Sequence, residues 1–204
     1  MSLAEKLFGK IRMSWGRVLL FSLIAGAWTG IVCLFPFLEK TSLHDIAVTF
    51  EWWVLFALVI VTNCKKSWDA ALKCFVFFLI SQPLCFAVQV LFGSLALDKA
   101  WYYLRLWLPK IILTLPGGFV AYYCRKQNWL GGAILGLGNA LMLFLGADYF
   151  RRMLSSFPYH LLTVIVCFGG AVVTTLAIQK KAPWRILSLG IAVFLAAALV
   201  ILQL

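Results

Sequence analysis

Residues 186–204 read ILSLGIAVFLAAALVILQL, a run without a single charged side chain. A helix that crosses the hydrocarbon core of a bilayer needs about 20 mainly apolar residues. This run meets that requirement, and six further stretches meet it or nearly do so. The seven predicted spans are 18–37, 46–63, 72–94, 106–124, 130–147, 161–178 and 186–204.

The composition supports the same conclusion for the chain as a whole. Of its 204 residues, 64% are hydrophobic, 16% aromatic and 12% charged, and the mean hydropathy is +0.98. Soluble domains are about 45–50% apolar and about 25% charged, and disordered chains are poor in aromatic and branched aliphatic residues. The sequence therefore predicts an all-α, polytopic transmembrane helix bundle with about seven spans.

The distribution of basic residues predicts the orientation of that bundle. Cytoplasmic loops retain Lys and Arg, and a cytoplasmic N-terminus puts twelve of the 18 basic residues inside and only six outside. If the weakest span, 106–124, did not cross, this bias would vanish. We therefore expect a plasma-membrane protein with a cytoplasmic N-terminus and an outside C-terminus. The net charge of +11 then needs no nucleic-acid partner.

Two segments depart from a simple span pattern. In residues 1–17, Leu3, Leu7, Ile11 and Trp15 recur every four positions among basic residues. This pattern predicts a basic amphipathic segment, either a short interfacial helix or a frayed tail, ahead of one transmembrane domain at 18–204. The first span continues beyond the length of a signal-peptide core, so we expect it to remain uncleaved. In the fourth span, the run 116–118 (Pro-Gly-Gly) predicts a kink or a break.

Small residues at helical spacing predict how the helices pack, since close backbone approach drives association in lipid. The first span has Ser22, Gly26 and Gly30, and the fifth has Gly132 and Gly136. The six cysteines form no C-x-x-C pair and have no histidine at ligand spacing, so we expect no metal site, cofactor or structural disulfide.

Polar residues within the spans are the candidates for binding, because they are costly in a bilayer. Glu51 lies five residues inside the second span and could bind a cation or a proton, or begin a helix at the interface. Gln82 and Gln89 share one face of the third span with Cys85. They could line a cavity, with Asn63 and Asn139 contributed by neighbouring helices, or could hold helices together.

An aromatic and basic collar precedes the fourth span. It consists of Arg105 and the aromatic residues Trp101, Tyr102, Tyr103 and Trp107. Together with Arg152, which follows the fifth span, Arg105 could receive an anionic group, or Arg152 could simply pair with Asp148 four residues earlier.

These features favour a small-molecule or lipid transporter, or the membrane-embedded binding subunit of one. Its expected partners are membrane lipids, a small-molecule ligand and other membrane subunits. A structural or regulatory subunit of a larger membrane complex is the first alternative. A lipid-modifying enzyme is the second; the one acid–histidine pair adjacent in sequence is Asp45 beside His44.

Overall fold

The computed structural model describes residues 3–39, 41–48 and 50–202, with the side chains of 46–51 excepted. This part of the chain forms helices and no strand, which confirms the all-α bundle. Its α-helices are α1 (Leu3–Leu7), α2 (Trp15–Val32), α3 (Ser42–Val48), α4 (Phe50–Thr62), α5 (Ser67–Leu91), α6 (Leu97–Ala121), α7 (Trp129–Ser156), α8 (Leu161–Ile178) and α9 (Ala182–Leu202).

Six of these helices, α2 and α5 to α9, are long and apolar enough to cross a membrane. The second predicted span is different. It falls on α3, which ends at Val48, and on α4, which begins at Phe50 and has 13 residues. Residue 49, which lies between these two helices, and the side chains of 46–51 are outside the described part of the chain. The second span as one continuous helix therefore stays a prediction.

The sequence predicts a kink or a break in the fourth span, and the structure shows no break. α6 runs from Leu97 to Ala121 as one helix, with Pro109 and Pro116 inside it. Membrane helices tolerate proline when their surroundings satisfy the freed backbone groups. Gly118 also packs α6 onto α5, because a Cβ there would lie 3.0 Å from the Cβ of Cys74. Gly118 therefore serves helix packing, and the Pro-Gly-Gly run does not interrupt the helix.

The loops gather at two ends of the bundle. We call one the basic end: it comprises residues 8–14, 63–66, 122–128 and 179–181, next to the starts of α2, α5, α7 and α9. Side-chain bonds join these loops, as when Gln179 donates to the carbonyl of Cys124 at 2.6 Å. The other end, which we call the distal end, contains residues 33–39, 92–96 and 157–160. The basic end is the one that the distribution of Lys and Arg predicts to be cytoplasmic.

The glycine stripes lie at helix contacts within the chain. A Cβ on Gly26 of α2 would lie 2.6 Å from the carbonyl oxygen of Ser81 in α5. A Cβ on Gly136 of α7 would lie 2.8 Å from the carbonyl oxygen of Ser188 in α9. Because real Cβ atoms do not approach so closely, only glycine permits the packing of α2 on α5 and of α7 on α9 at these points.

An aromatic cluster fills the bundle between α2, α4 and α5. Trp53 and Phe77 are almost completely buried, and Phe77 lies 4.9 Å from Phe21 between ring centroids. Trp53 and Phe78 are 5.5 Å apart. We call Phe21, Trp53, Phe56, Phe77 and Phe78 the aromatic core. It closes the interior of the bundle between α2 and α5.

The amphipathic N-terminal segment folds against the bundle. Its helix, α1, ends at Leu7, two residues before Gly9, whose φ is +155°. Ile11 therefore lies outside the helix, although the four-residue repeat extends to it. The N–H of Ile11 donates to Oδ1 of Asn63 at 2.7 Å, which fixes the segment beneath the end of α4.

Candidate functional site

A cavity of about 380 Å³ opens at the distal end, between the end of α2, the start of α3, the last turns of α5 and the first turns of α6. We call it the distal cavity. Gln82 and Gln89, which the sequence placed on one helix face, both line it. The other lining residues are Cys33, Glu39, His44, Cys85, Phe86, Ser94, Leu95, Tyr103 and Trp107.

Gln82 forms the deep part of the distal cavity. It lies nine residues before the end of α5 at Leu91, which at 1.5 Å per residue is about 14 Å below that end. It is only 3% exposed, and its Nε2 has no hydrogen-bond partner among the described residues. A buried amide donor without a partner costs roughly 1–3 kcal/mol. Gln82 therefore places beside the cavity a strong donor that no described residue satisfies.

Gln89 and two thiols form the next layer toward the opening. Gln89 donates from Nε2 to the carbonyl oxygen of Cys85 at 3.2 Å and to its Sγ at 3.4 Å. Cys33, at the end of α2, lines the cavity beside Cys85. The bonds of Gln89 to Cys85 hold its amide along α5.

The mouth of the cavity is aromatic and carries a carboxylate. Tyr103 and Trp107, from the predicted collar, lie one helical turn apart on α6 and face α5. Glu39 and His44 come from the segment between α2 and α3 and from α3 itself. Lys110 lies 4.5 Å from the centroid of the Trp107 ring. The lining thus offers amides, thiols, a phenol, an imidazole and one carboxylate, groups that suit a neutral polar or cationic ligand.

The structure does not bring the two candidate asparagines to this cavity. Asn63 lies at the basic end, where its Nδ2 donates to the carbonyl of Val59 at 2.7 Å and its Oδ1 accepts from Ile11. Asn139 is fully buried between α7 and α8 and donates to Thr175 Oγ1 at 2.9 Å. It also accepts from Thr174 at 3.1 Å. Both amides therefore hold chain segments together.

Two of the candidate charged residues, Arg105 and Arg152, also lie apart from the cavity lining. Arg105 is exposed on α6, outside the lining. Arg152 pairs with Asp148 at 2.7 Å, one turn earlier on α7, and lies over the ring of Tyr149. The side chain of Glu51 is outside the described part of the chain, so its prediction is neither supported nor contradicted here.

Sequence reasoning missed a buried polar cluster that joins α3 to α8. Asp45 is 2% exposed, and its Oδ2 lies 2.8 Å from Nδ1 of His160 and accepts from Thr163 Oγ1 at 2.5 Å. The sequence paired Asp45 with its neighbour His44, because nothing in a single sequence reports a contact across 115 positions. The available signal for this cluster in the sequence was an acidic residue directly before an apolar stretch.

Among the described residues, no group of three or more His, Cys, Asp or Glu side chains is placed to hold a metal ion.

Six long apolar helices and a buried polar cavity between them define an integral membrane protein with a candidate ligand site. No family model, curated protein or solved structure matches this chain. The function must therefore be argued from the cavity and the charge distribution alone.

Proposed function

We propose that the protein binds a small polar molecule in the distal cavity, as a transporter or as the membrane-embedded binding subunit of one. The observation that carries this proposal is the buried, unpartnered Nε2 of Gln82. A ligand acceptor at that position would satisfy the donor and remove its desolvation cost. The alternative, an amide that only joins helices, requires a partner for Nε2, and the described residues contain none.

The size and lining of the cavity limit the ligand class. Small-molecule sites occupy about 300–1,000 Å³ and combine apolar walls with a few placed polar groups, and about 380 Å³ falls at the small end of that range. Glu39 is the one acidic residue of the lining, and no Lys or Arg is part of it. Lys110 lies outside the lining, against the ring of Trp107. We therefore favour a neutral or singly cationic solute over an anion.

The aromatic core supports access from one end only. Phe77 and Phe78 precede Gln82 on α5, so they lie between it and the basic end. Their contacts with Trp53 fill that region. In our proposal the solute enters from the distal end, which we assign to the outside of the plasma membrane. Passage to the other side would require the aromatic core to open.

Native mass spectrometry of the protein released gently from its own membrane tests this proposal. We expect a retained small-molecule adduct, lost in the double variant Gln82→Leu/Gln89→Leu. The matched control is Gln179→Leu, which changes a buried glutamine at the basic end and should keep the adduct. An adduct that persists unchanged in the double variant would overturn the proposed site. A second polypeptide at fixed ratio, without an adduct, would favour a structural or regulatory subunit instead.

A further inference from the structure

A second cavity, of about 530 Å³, lies at the basic end and plays no part in the proposed function. It is bounded by residues 9–15, by the connection between α4 and α5 with the first turns of α5, and by Arg125. We call it the basic pocket. Five basic residues line it, namely Lys10, Arg12, Lys65, Lys73 and Arg125, and Asp69 is its one acidic residue.

The walls of the basic pocket are fixed by bonds between distant parts of the chain. Ile11 is held by Asn63, and the carbonyl oxygen of Met13 accepts from Lys73 Nζ at 2.7 Å. Arg125 donates to the carbonyl of Cys64. The N-terminal segment therefore forms a wall of a preformed concave site.

Three of the five basic residues of this pocket make no ion pair within the described residues. Asp69 forms its ion pair with Lys73, at 2.8 Å. Arg12, Lys65 and Arg125 make no ion pair in this part of the chain. A pocket with such an excess of cations attracts an anion.

Exposed tryptophans indicate the depth of the pocket in the membrane. Trp15, Trp68 and Trp129 are all exposed at the basic end, and Trp15 itself lines the pocket. Tryptophan is enriched at the level of the lipid headgroups. The basic pocket therefore lies where the phosphate groups of membrane lipids lie.

We propose that the basic pocket binds a phosphate-bearing anion, with Arg12 and Lys65 as its main charged contacts. The position of the tryptophans favours the headgroup of an anionic phospholipid as the source, and a soluble phosphate is the other source of the same chemistry. Basic residues near a membrane generally attract anionic lipids in a diffuse way. A specific binding site differs from that diffuse attraction because its binding saturates and depends on particular residues.

The test titrates detergent-solubilised protein with phosphatidylglycerol or phosphatidylcholine in mixed micelles and counts bound lipids by native mass spectrometry. The site variant is Arg12→Gln/Lys65→Gln, whose exposed side chains make no bond that holds the fold. The control is Lys6→Gln/Lys181→Gln, which removes the same charge from the same end outside the pocket. We expect one saturable phosphatidylglycerol per protein, weakened about tenfold or more in the site variant alone.

Competition by inorganic pyrophosphate separates the two sources. If pyrophosphate displaces phosphatidylglycerol and stabilises the lipid-free protein, the site takes soluble phosphates. If it does neither, the lipid headgroup is the ligand. Equal weakening by the two double variants, equal binding of phosphatidylcholine, or binding that never saturates would each overturn the proposal.

Discussion

Replacing Gln82 by leucine removes a buried amide whose Nε2 has no partner, and the ligand-free protein should therefore become more stable. An unsatisfied buried donor costs roughly 1–3 kcal/mol, and leucine has a similar volume without a polar atom. We expect a gain of about 1 kcal/mol, which for a protein of this length raises Tm by about 2–4 °C.

Gln179→Leu is the matched control for that change, because it substitutes the same residue type at another buried position. Nε2 of Gln179 donates to the carbonyl oxygens of Cys124 and Lys126 at 2.6 and 3.1 Å. Its loss leaves two carbonyls without this donor, and only the relief of its own unpartnered Oε1 offsets that cost. We expect a loss of about 2 kcal/mol.

Thermal unfolding in the same detergent, after removal of any adduct, measures both variants. The two should move in opposite directions, and only Gln82→Leu should lose the ligand. If Gln82→Leu lowers Tm as much as Gln179→Leu does, the Gln82 amide is already satisfied in the free protein. The reasoning behind the ligand site would then be refuted.

Three further predictions concern packing, burial and thiol chemistry. Gly26→Ala should destabilise the protein by about 1–3 kcal/mol in chemical unfolding, because its Cβ would meet the backbone of α5 at 2.6 Å. The control Gly190→Ala should not destabilise the protein, because there is open space around that position. Asp45→Ala should cost about 2–3 kcal/mol, since it leaves a buried histidine and threonine without their acceptor; Asp148→Ala, which breaks an exposed ion pair, should cost under about 1 kcal/mol. Burial raises the pKa of Cys64 from 9.0 to about 12, so its thiolate fraction at pH 8 falls about a thousandfold. A variant with Cys64 as its single cysteine should therefore react slowly with N-ethylmaleimide. Rapid labelling would contradict the burial of this thiol.

Apolar run length was enough to predict most of the spans. Helices α8 and α9 follow their predicted ranges closely, because a bilayer requires continuous apolar length and internal backbone bonding. The small-residue stripes also predicted helix contacts, as at Gly26 and Gly136. These features are local in sequence, and a single chain reports them directly.

Contacts between distant segments were beyond the sequence. In a bilayer both the lipid-facing and the buried surfaces of a helix are apolar, so the pattern does not mark which face is inside. In α2, Val18 is fully buried while Leu19 and Leu20 are exposed. The same limit explains why Asn139 was grouped with Gln82, and why the pairing of Asp45 with His160 was missed.

The continuity of α6 reflects a second limit of the sequence. Proline and glycine reduce helix propensity, but in a membrane the packing partner decides whether the helix continues. Pro116 and Gly118 lie within an unbroken α6 that packs on α5. The cavity face on α5, by contrast, could be predicted, because Gln82 and Gln89 belong to one helix and their spacing fixes their direction.

An experimental structure of the protein purified from its own membrane without lipid exchange tests the central claim most directly. We predict non-protein density in the distal cavity, within hydrogen-bond distance of Gln82 Nε2 and bounded by Tyr103 and Trp107. A distal cavity that has collapsed, with Gln82 bonded to a neighbouring helix and no density beside it, would contradict the account.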